Sequence, residues 1–218
     1  MKILNLYAGI GGNRKLWGDE HEITAVEINP EIAKIYHDFF PNDKIVVGDA
    51  HKYLLEHYKE FDFIWSSPPC PTHSLLRKGL SMNNGAKAVY PDMKLYEEIL
   101  FLEGYFKGKW VVENVMSWYD PLIKPFEVGR HYYWANFNIP NRNVREAKFS
   151  ITGGINKESE EMQVNRMQKE LGFDLSKYNL KGLSKRLLLR NCVEPKTGKH
   201  IFDFAFKKKQ ETLFENEN

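Results

Sequence analysis

The segment Ser66-Ser67-Pro68-Pro69-Cys70-Pro71-Thr72-His73-Ser74 contains one of only two cysteines in the chain. It follows residues 61–65, a short apolar run typical of a buried strand. A cysteine between prolines at a strand end is poorly placed for a hydrophobic core and well placed to act as a nucleophile. Because the thiolate is the reactive form, we expect nearby positive charge or hydrogen-bond donors to lower the pKa of Cys70. The alternative is a buried, inert thiol.

A second candidate group is Glu113-Asn114-Val115, which follows the apolar residues 110–112. A carboxyl group at the end of a buried strand is desolvated, which raises its pKa and suits it to donate a proton at neutral pH. Taken alone, these residues are more simply explained as the cap of a following helix.

A third group is suited to bind a nucleoside-containing cofactor. The turn Gly9-Ile10-Gly11-Gly12 follows the first apolar run and would let a ligand approach the backbone closely. Glu27 lies 18 residues after Gly9, at the end of the second predicted strand, where its carboxylate would accept hydrogen bonds from ribose hydroxyls. The glycine pattern lacks the complete dinucleotide fingerprint, which disfavours NAD. Asp49 is placed to bind an adenine amino group, and Ile28 to stack on the ring.

Strands and helices alternate along the first half of the chain. The predicted strands are 3–7, 22–26, 44–47, 61–65, 110–113 and the candidate 132–137, and the predicted helices are 13–18, 31–39, 50–59 and 91–105. This alternation predicts an α/β fold with a doubly wound, mostly parallel sheet. Ligands of such sheets bind beyond the carboxyl ends of the strands, so all three candidate groups should line one rim. In the second half, 159–171 is predicted to be helical, 141–156 is polar and turn-rich, and 201–206 is apolar and aromatic.

The composition is that of one globular domain. The chain has 218 residues, 42% of them hydrophobic, and a formal net charge of +2. No apolar run approaches the length of a membrane span, and the first residues lack the pattern of a signal peptide. With two cysteines, we expect no disulfide framework and a cytoplasmic location. Residues 181–199 carry six basic residues and one acid, which fits either a phosphate-facing surface or an ordinary solvated face.

These motifs together resemble those of the DNA (cytosine-5-)-methyltransferases, in the same order along the chain. The resemblance is carried by Leu4-Asn5-Leu6-Tyr7-Ala8-Gly9-Ile10-Gly11-Gly12, Glu27-Ile28-Asn29, Gly48-Asp49, Pro69-Cys70, Glu113-Asn114-Val115 and Arg190-Asn191-Cys192-Val193. It extends from Met1 to about Phe206, and the compact form is similar to small enzymes of phages and mobile elements.

The resemblance implies a Rossmann-like fold of the class I S-adenosylmethionine-dependent methyltransferases, with S-adenosyl-L-methionine as cofactor and no metal. It implies that Cys70 adds to C6 of a flipped-out cytosine, that Glu113 protonates or hydrogen-bonds N3, and that Asn114 orients the loop and the base. Arg130 would contact the cytosine, or instead a phosphate or its own protein. The implied cofactor residues are Tyr7, Ala8, Gly9, Gly11, Gly12, Glu27, Ile28, Asp49, Ala50, Pro69, Asn191 and Val193. Double-stranded DNA is the expected partner, no membrane is involved, and a monomer suffices.

The resemblance also suggests a division of the chain. Residues 1–140 and 187–209 would form the catalytic domain, 141–186 a reduced, irregular target-recognition region, and 210–218 a flexible tail. Because the middle region is short, we expect a short or relaxed DNA recognition site, read with help from the loop 73–90.

Two departures from the family pattern leave alternatives open. Pro71-Thr72-His73 stands where glutamine is common after Pro-Cys, and His73 could contact DNA, assist proton removal or be a neutral filler. Arg190 stands where the closing motif has glycine, and it could contact a phosphate, pair with a carboxylate or favour a carboxylated S-adenosylmethionine. The remaining alternatives are an RNA cytosine methyltransferase and a DNA-binding module with degenerate chemistry. A restriction-modification partner, an anti-restriction role and an orphan regulator are equally compatible.

Overall fold

The computed structural model describes residues 1–75, 87–140, 158–180 and 182–207. The strands are β1 (Lys2–Leu6), β2 (Glu22–Glu27), β3 (Lys44–Val47), β4 (Phe63–Ser66), β5 (Lys109–Val115), β6 (Phe126–Val128) and β7 (His131–Ala135). The α-helices are α1 (Pro30–Phe39), α2 (Ala50–His57), α3 (Lys94–Tyr105), α4 (Glu160–Leu171), α5 (Lys185–Arg190) and α6 (Pro195–Phe206). Two short 3₁₀ helices are formed by Arg14–Leu16 and Tyr58–Glu60.

The seven strands form one sheet in the order β3-β2-β1-β4-β5-β7-β6. The first five strands in this order pair in parallel, whereas β7 is antiparallel to both β5 and β6. The register places Leu6 opposite both Val26 and Ser66, so the strand ends that precede the candidate groups meet at one edge. The predicted α/β fold with a mostly parallel sheet is confirmed.

Helices cover both faces of the sheet because its central strands are apolar on both sides. On one face, Leu54 of α2 and Leu102 of α3 pack in a cluster with Leu4 of β1. On the other face, Phe202 of α6 packs in a cluster with Phe63 of β4. The doubly wound arrangement therefore follows from the continuous hydrophobic runs that predicted the strands.

Several bounds differ from the prediction. The predicted helix 13–18 is the 3₁₀ turn Arg14–Leu16, and the helix predicted from 91 begins at Lys94. The short strand Phe126–Val128 was not predicted. The apolar run 201–206 is the end of a longer helix, which begins with Pro195 at its first position and whose cap, Glu194, accepts a hydrogen bond from the Thr197 amide at 2.7 Å.

The predicted helix 159–171 is observed as α4, capped by the Ser159 hydroxyl and ended by Gly172 in the left-handed conformation. Met167 and Leu171 pack in a cluster with Ile10 and Ile35, which belong to the first part of the chain. This half of the region assigned to target recognition therefore shares a core with the catalytic part. Residues 141–157 and the tail 208–218 lie outside the described residues, so the proposed domain boundaries stay a prediction.

Across the described ranges, no helix combines the length and the apolar character that crossing a membrane requires.

Candidate active site

Cys70 lies in the loop that leaves β4, at the rim formed by the carboxyl ends of the parallel strands. The loop is tied to β5 by the buried side chain of Asn114, whose Nδ2 donates to the Pro68 carbonyl oxygen at 3.0 Å. The Oδ1 atom of Asn114 accepts a hydrogen bond from the Val115 amide at 3.0 Å. Asn114 therefore positions the two prolines and Cys70 relative to the neighbouring strand.

Glu113 is buried within β5, where it pairs in register with Tyr133 of β7. Its Oε1 atom lies 3.8 Å from Nε2 of His131. Burial raises the pKa of the Cys70 thiol, and the charge of Glu113 raises it further, whereas Arg190 acts in the opposite direction. The prediction that the surroundings lower the pKa of Cys70 is therefore wrong for this chain by itself, because desolvation and a nearby carboxylate outweigh the guanidinium.

The residues after Cys70 are fixed by a second set of contacts. His73 is 1% exposed, and its Nδ1 lies 2.6 Å from the Tyr119 hydroxyl. Trp118 donates through its indole to the Thr72 carbonyl and through its backbone amide to the His73 carbonyl, each at 3.0 Å. Burial lowers the pKa of His73, which favours the neutral imidazole. Of the three roles considered for His73, this geometry supports the neutral filler. Residues 76–86 of the predicted DNA loop lie outside the described residues.

The glycine turn after β1 has the conformation that its sequence requires. Gly9 and Gly11 have φ values of 55° and 86°, in the left-handed region that glycine adopts without strain. Glu27 connects this turn to the end of β2, because its Oε2 accepts from the Gly9 amide at 3.0 Å and its Oε1 from the Asn29 amide at 2.9 Å. A Cβ atom added at Gly9 would meet no other atom within 4 Å, so the backbone is open to a ligand there.

The neighbouring strand ends complete a cradle that fits a nucleoside. The side chain of Ile28 is 69% exposed and offers an apolar surface beside Glu27. Asp49 is exposed and caps α2 by accepting from the Lys52 amide at 3.1 Å, and Ala50 is the buried first residue of that helix. A Cβ at Gly48 would also meet nothing within 4 Å. Open backbone, an apolar side chain and two acids suit the ring and the ribose of S-adenosylmethionine.

The C-terminal motif closes the other side of the glycine turn. A Cβ at Gly12 would lie 2.4 Å from the Val193 carbonyl oxygen and 2.9 Å from the Cys192 Cβ, so only glycine permits this approach. Asn191 is exposed at the end of α5. Pro69 is exposed in the Cys70 loop. Arg130 is exposed in the turn between β6 and β7, where its carbonyl oxygen accepts from the Met116 amide at 3.4 Å.

Comparison with known families identifies the chain. A family model described as C-5 cytosine-specific DNA methylase matches residues 1–121, which is more than half of the 218 residues. The chain belongs to this family. The resemblance inferred from the sequence motifs is thus confirmed, and with it the class I methyltransferase fold and S-adenosyl-L-methionine as the cofactor.

The chain is also similar to parts of several solved structures. A triple mutant of DNMT2 from Spodoptera frugiperda is 21% identical, with a TM-score of 0.44; the alignment covers 65% of this chain and 53% of that chain, so the methylase spans about half its length. A hypothetical protein of Thermus thermophilus is 17% identical, with a TM-score of 0.42 and coverages of 62% and 73%. A search of curated proteins gave no match.

The methylase also has a buried residue at this rim that the sequence analysis missed. Glu98 of α3 is fully buried, and its carboxylate accepts hydrogen bonds from the Tyr7 hydroxyl, the Ser66 hydroxyl and the His51 ring. The helical spacing of Leu95, Glu98 and Leu102 places all three on one face. That spacing could have revealed an acid on the apolar face of the helix.

Proposed function

We propose that this methylase is a DNA (cytosine-5-)-methyltransferase, which modifies a cytosine flipped out of duplex DNA. The observation that supports this most strongly is the joint placement of Cys70, Glu113 and Asn114 at the carboxyl rim, next to a cradle that fits the cofactor. A thiol and a carboxyl group near each other are the two groups that covalent activation of a cytosine ring requires.

In the proposed reaction, the Cys70 thiolate forms a bond to C6 of the cytosine. Glu113 protonates or hydrogen-bonds N3 at the same time, so the ring does not accumulate negative charge. The electron pair released into the ring makes C5 nucleophilic. S-Adenosylmethionine, when bound, would supply an electrophilic methyl group to C5 and leave as S-adenosylhomocysteine. A base then removes the C5 proton, and the bond between C6 and sulfur breaks to release Cys70.

The remaining candidate residues have supporting roles in this proposal. Asn114 holds the loop of Cys70 through the Pro68 carbonyl, and Arg130 contacts the flipped cytosine or its phosphate. The cytosine must be flipped out of the duplex because C5 and C6 of a stacked, paired cytosine are not accessible to a side chain. The cofactor would be held by the turn at Gly9–Gly12, by Glu27, Ile28, Asp49 and Ala50, and by Tyr7, Ala8, Pro69, Asn191 and Val193.

Trapping with 5-fluorocytosine tests this proposal. Fluorine at C5 cannot leave as a proton does, so the covalent adduct should persist after methyl transfer. With duplex DNA that contains 5-fluorocytosine and with S-adenosylmethionine, we expect a denaturant-resistant complex. The complex should disappear in Cys70→Ser and remain in Cys192→Ser, which removes the other cysteine.

The outcomes distinguish the alternatives. An adduct with RNA but not with DNA would identify an RNA cytosine methyltransferase. No adduct with either nucleic acid would contradict the enzymatic proposal and favour a binding module. Mass spectrometry of the modified nucleoside should show only 5-methylcytosine, whereas an acidic adduct would indicate a carboxylated donor. Bisulfite sequencing of the treated DNA should show a short or relaxed site.

A further inference from the structure

The fully buried carboxylate of Glu98 joins three elements of the rim. Its Oε1 atom accepts from the Tyr7 hydroxyl at 2.6 Å and from Nδ1 of His51 at 3.0 Å, and its Oε2 atom accepts from the Ser66 hydroxyl at 2.5 Å. We infer that Glu98 is a positioning residue for the methyl-donor site, which fixes the turn after β1 relative to the start of α2. This inference rests on the proposed function. It assigns to Glu98 the role of maintaining the methyl-donor site without contacting S-adenosylmethionine.

Burying the Glu98 carboxylate costs desolvation free energy, which core packing alone does not require. A buried carboxylate needs partners that replace its hydration, and its α3 neighbours Leu95, Ile99 and Leu102 are apolar and belong to the main core cluster. An apolar residue would pack there without that cost, and replacing buried polar groups with well-packed apolar ones is often neutral or stabilising. Three hydrogen bonds from three other elements compensate Glu98 instead, which points to alignment of those elements.

The three side chains that donate hydrogen bonds to Glu98 share one property, because each is next to a part of the proposed active site. Tyr7 directly precedes Ala8 and Gly9 of the glycine turn. His51 follows Asp49 and Ala50 at the start of α2. Ser66 is the last residue of β4, from which the chain continues to Cys70. One carboxylate therefore connects the cofactor cradle on two sides and the nucleophile loop on a third.

Tyr7 gives independent support, because its backbone is strained. It is the one non-glycine residue with a positive φ, 55°, among the described residues. Such a conformation is strained and persists only where the surroundings hold it. The hydrogen bond from the Tyr7 hydroxyl to Glu98 restrains Tyr7 in this conformation. The next residue is also held, because the Ala8 amide donates to the Val26 carbonyl at 3.0 Å. Without Glu98, the turn would lose the contact that keeps Tyr7 in this conformation.

His51 adds a pH-dependent part to the restraint. Its Nε2 lies 3.5 Å from Glu97, so a protonated ring faces two carboxylates, with Lys94 opposing them. The hydrogen bond to Glu98 raises the pKa of His51 above its ordinary value of 6.5. Tyr7, whose pKa is raised far above its usual range by burial and by Glu98, with smaller contributions from Asp49 and Asp92, stays a neutral donor. The contribution of charged His51 is therefore complete below pH 6.5 and is lost as the pH rises through the raised value.

The test compares Glu98→Gln with Ile99→Val in the full chain. Glutamine keeps the size of the side chain but removes its charge and one acceptor, whereas valine at 99 removes only a methyl group from the same helix. Isothermal titration with S-adenosylhomocysteine should show about 10- to 100-fold weaker binding for Glu98→Gln, the effect of losing hydrogen bonds to a charged group. Ile99→Val should bind as the wild type does. In methyl transfer, KM for S-adenosylmethionine should rise more than kcat falls.

The pH profile separates positioning from general stability. Wild-type affinity for S-adenosylhomocysteine should fall as the pH rises above 6.5 and through the raised pKa of His51, and Glu98→Gln should show a flatter profile. Unchanged affinity and profile in Glu98→Gln, or an equal loss in Ile99→Val, would overturn the inference. Should Glu98→Gln not fold, Ser66→Ala decides in its place, since it removes a hydrogen bond to Glu98 at a residue outside the proposed cofactor set, and unchanged binding again overturns the inference. Donor binding is measured without nucleic acid, so failure of the trapping experiment is a separate result.

Discussion

At the scale of single residues, Cys70 lies half-buried between charges of opposite sign. Burial disfavours the thiolate most, the charge of Glu113 adds to that effect, and Arg190 opposes both. Cys192 is also partly buried, and desolvation raises the pKa of its thiol to about 12, with only Lys15 as a charged neighbour acting in the opposite direction. Reactivity at neutral pH should thus be low at both thiols in the free protein, and the two charged side chains should modulate it at Cys70.

Alkylation by iodoacetamide tests this balance in a Cys192→Ser background. Because only the thiolate reacts, the rate at Cys70 should rise with pH and still be rising at pH 9.0, the ordinary thiol pKa. Arg190→Gln should slow the reaction at a fixed pH and Glu113→Gln should accelerate it, each by up to about tenfold, since one pKa unit is a factor of ten. Mass spectrometry gives the rates. Equal rates in all three proteins would show that neither charge reaches the thiol.

At the scale of elements, the 3₁₀ helix after the glycine turn is held by a buried ion pair. The Arg14 guanidinium donates from Nε to Oδ2 of Asp43 at 2.9 Å and from Nη2 to Oδ1 at 3.1 Å. The Tyr36 hydroxyl of α1 donates to the same carboxylate at 2.7 Å. Arg14 also reaches Asp19 at 3.1 Å, but the Asp19 side chain is 82% exposed. One guanidinium therefore has a buried and a solvated partner.

The two partners give a matched pair of variants. Asp43→Ala leaves the Arg14 charge buried without its main partner and should lower the free energy of unfolding by about 3–5 kcal/mol. Asp19→Ala removes an exposed ion pair and should cost under about 1 kcal/mol. Urea unfolding followed by circular dichroism measures both. Similar losses of unfolding free energy in the two variants would mean that the buried ion pair stabilises this turn no more than the exposed one does.

Elements that obey one local rule were predictable from the sequence. Continuous apolar runs predicted strands β1 to β5. The turn residues after these strands predicted the ligand-binding rim, because a parallel sheet brings the carboxyl ends of its strands to one edge. The strand Phe126–Val128 was missed because three residues are too few for a periodic pattern, and its pairing with β7 is a tertiary contact. The helix from Pro195 was not predicted, although Glu194 and Pro195 form a recognisable start, because its first half is polar and only its aromatic end forms an apolar run.

Within the site, sequence motifs identified groups but not their electrostatics. The direction of the Cys70 pKa depends on burial and on distances to Glu113 and Arg190, which are far apart in the sequence. The role of Glu98 likewise depends on three partners contributed by different elements. Such properties arise from the fold and not from any single segment.

At the scale of the whole molecule, the end of the described chain closes onto its beginning. The ring of Trp17 stacks on Phe202 of α6 with centroids 5.0 Å apart, and both belong to the core cluster on that face of the sheet. Gly198 lets α6 approach the segment before the 3₁₀ helix, since a Cβ there would lie 2.6 Å from the carbonyl oxygen of Asn13 and 2.7 Å from its Cα. A glycine inside a helix is therefore needed for closure.

The same substitution at two helical glycines should have opposite effects. Gly198→Ala forces α6 away from the Asn13 backbone and should destabilise the protein by about 1–3 kcal/mol, the cost of overpacking. Gly104→Ala in α3 meets no atom within 4 Å and should stabilise it by up to about 1 kcal/mol, because alanine loses less backbone entropy in a helix. Urea midpoints with unchanged m-values would measure both effects as stability alone. A stabilised Gly198→Ala protein would show that α6 tolerates displacement, and closure of the chain onto its first turn would then not constrain the fold.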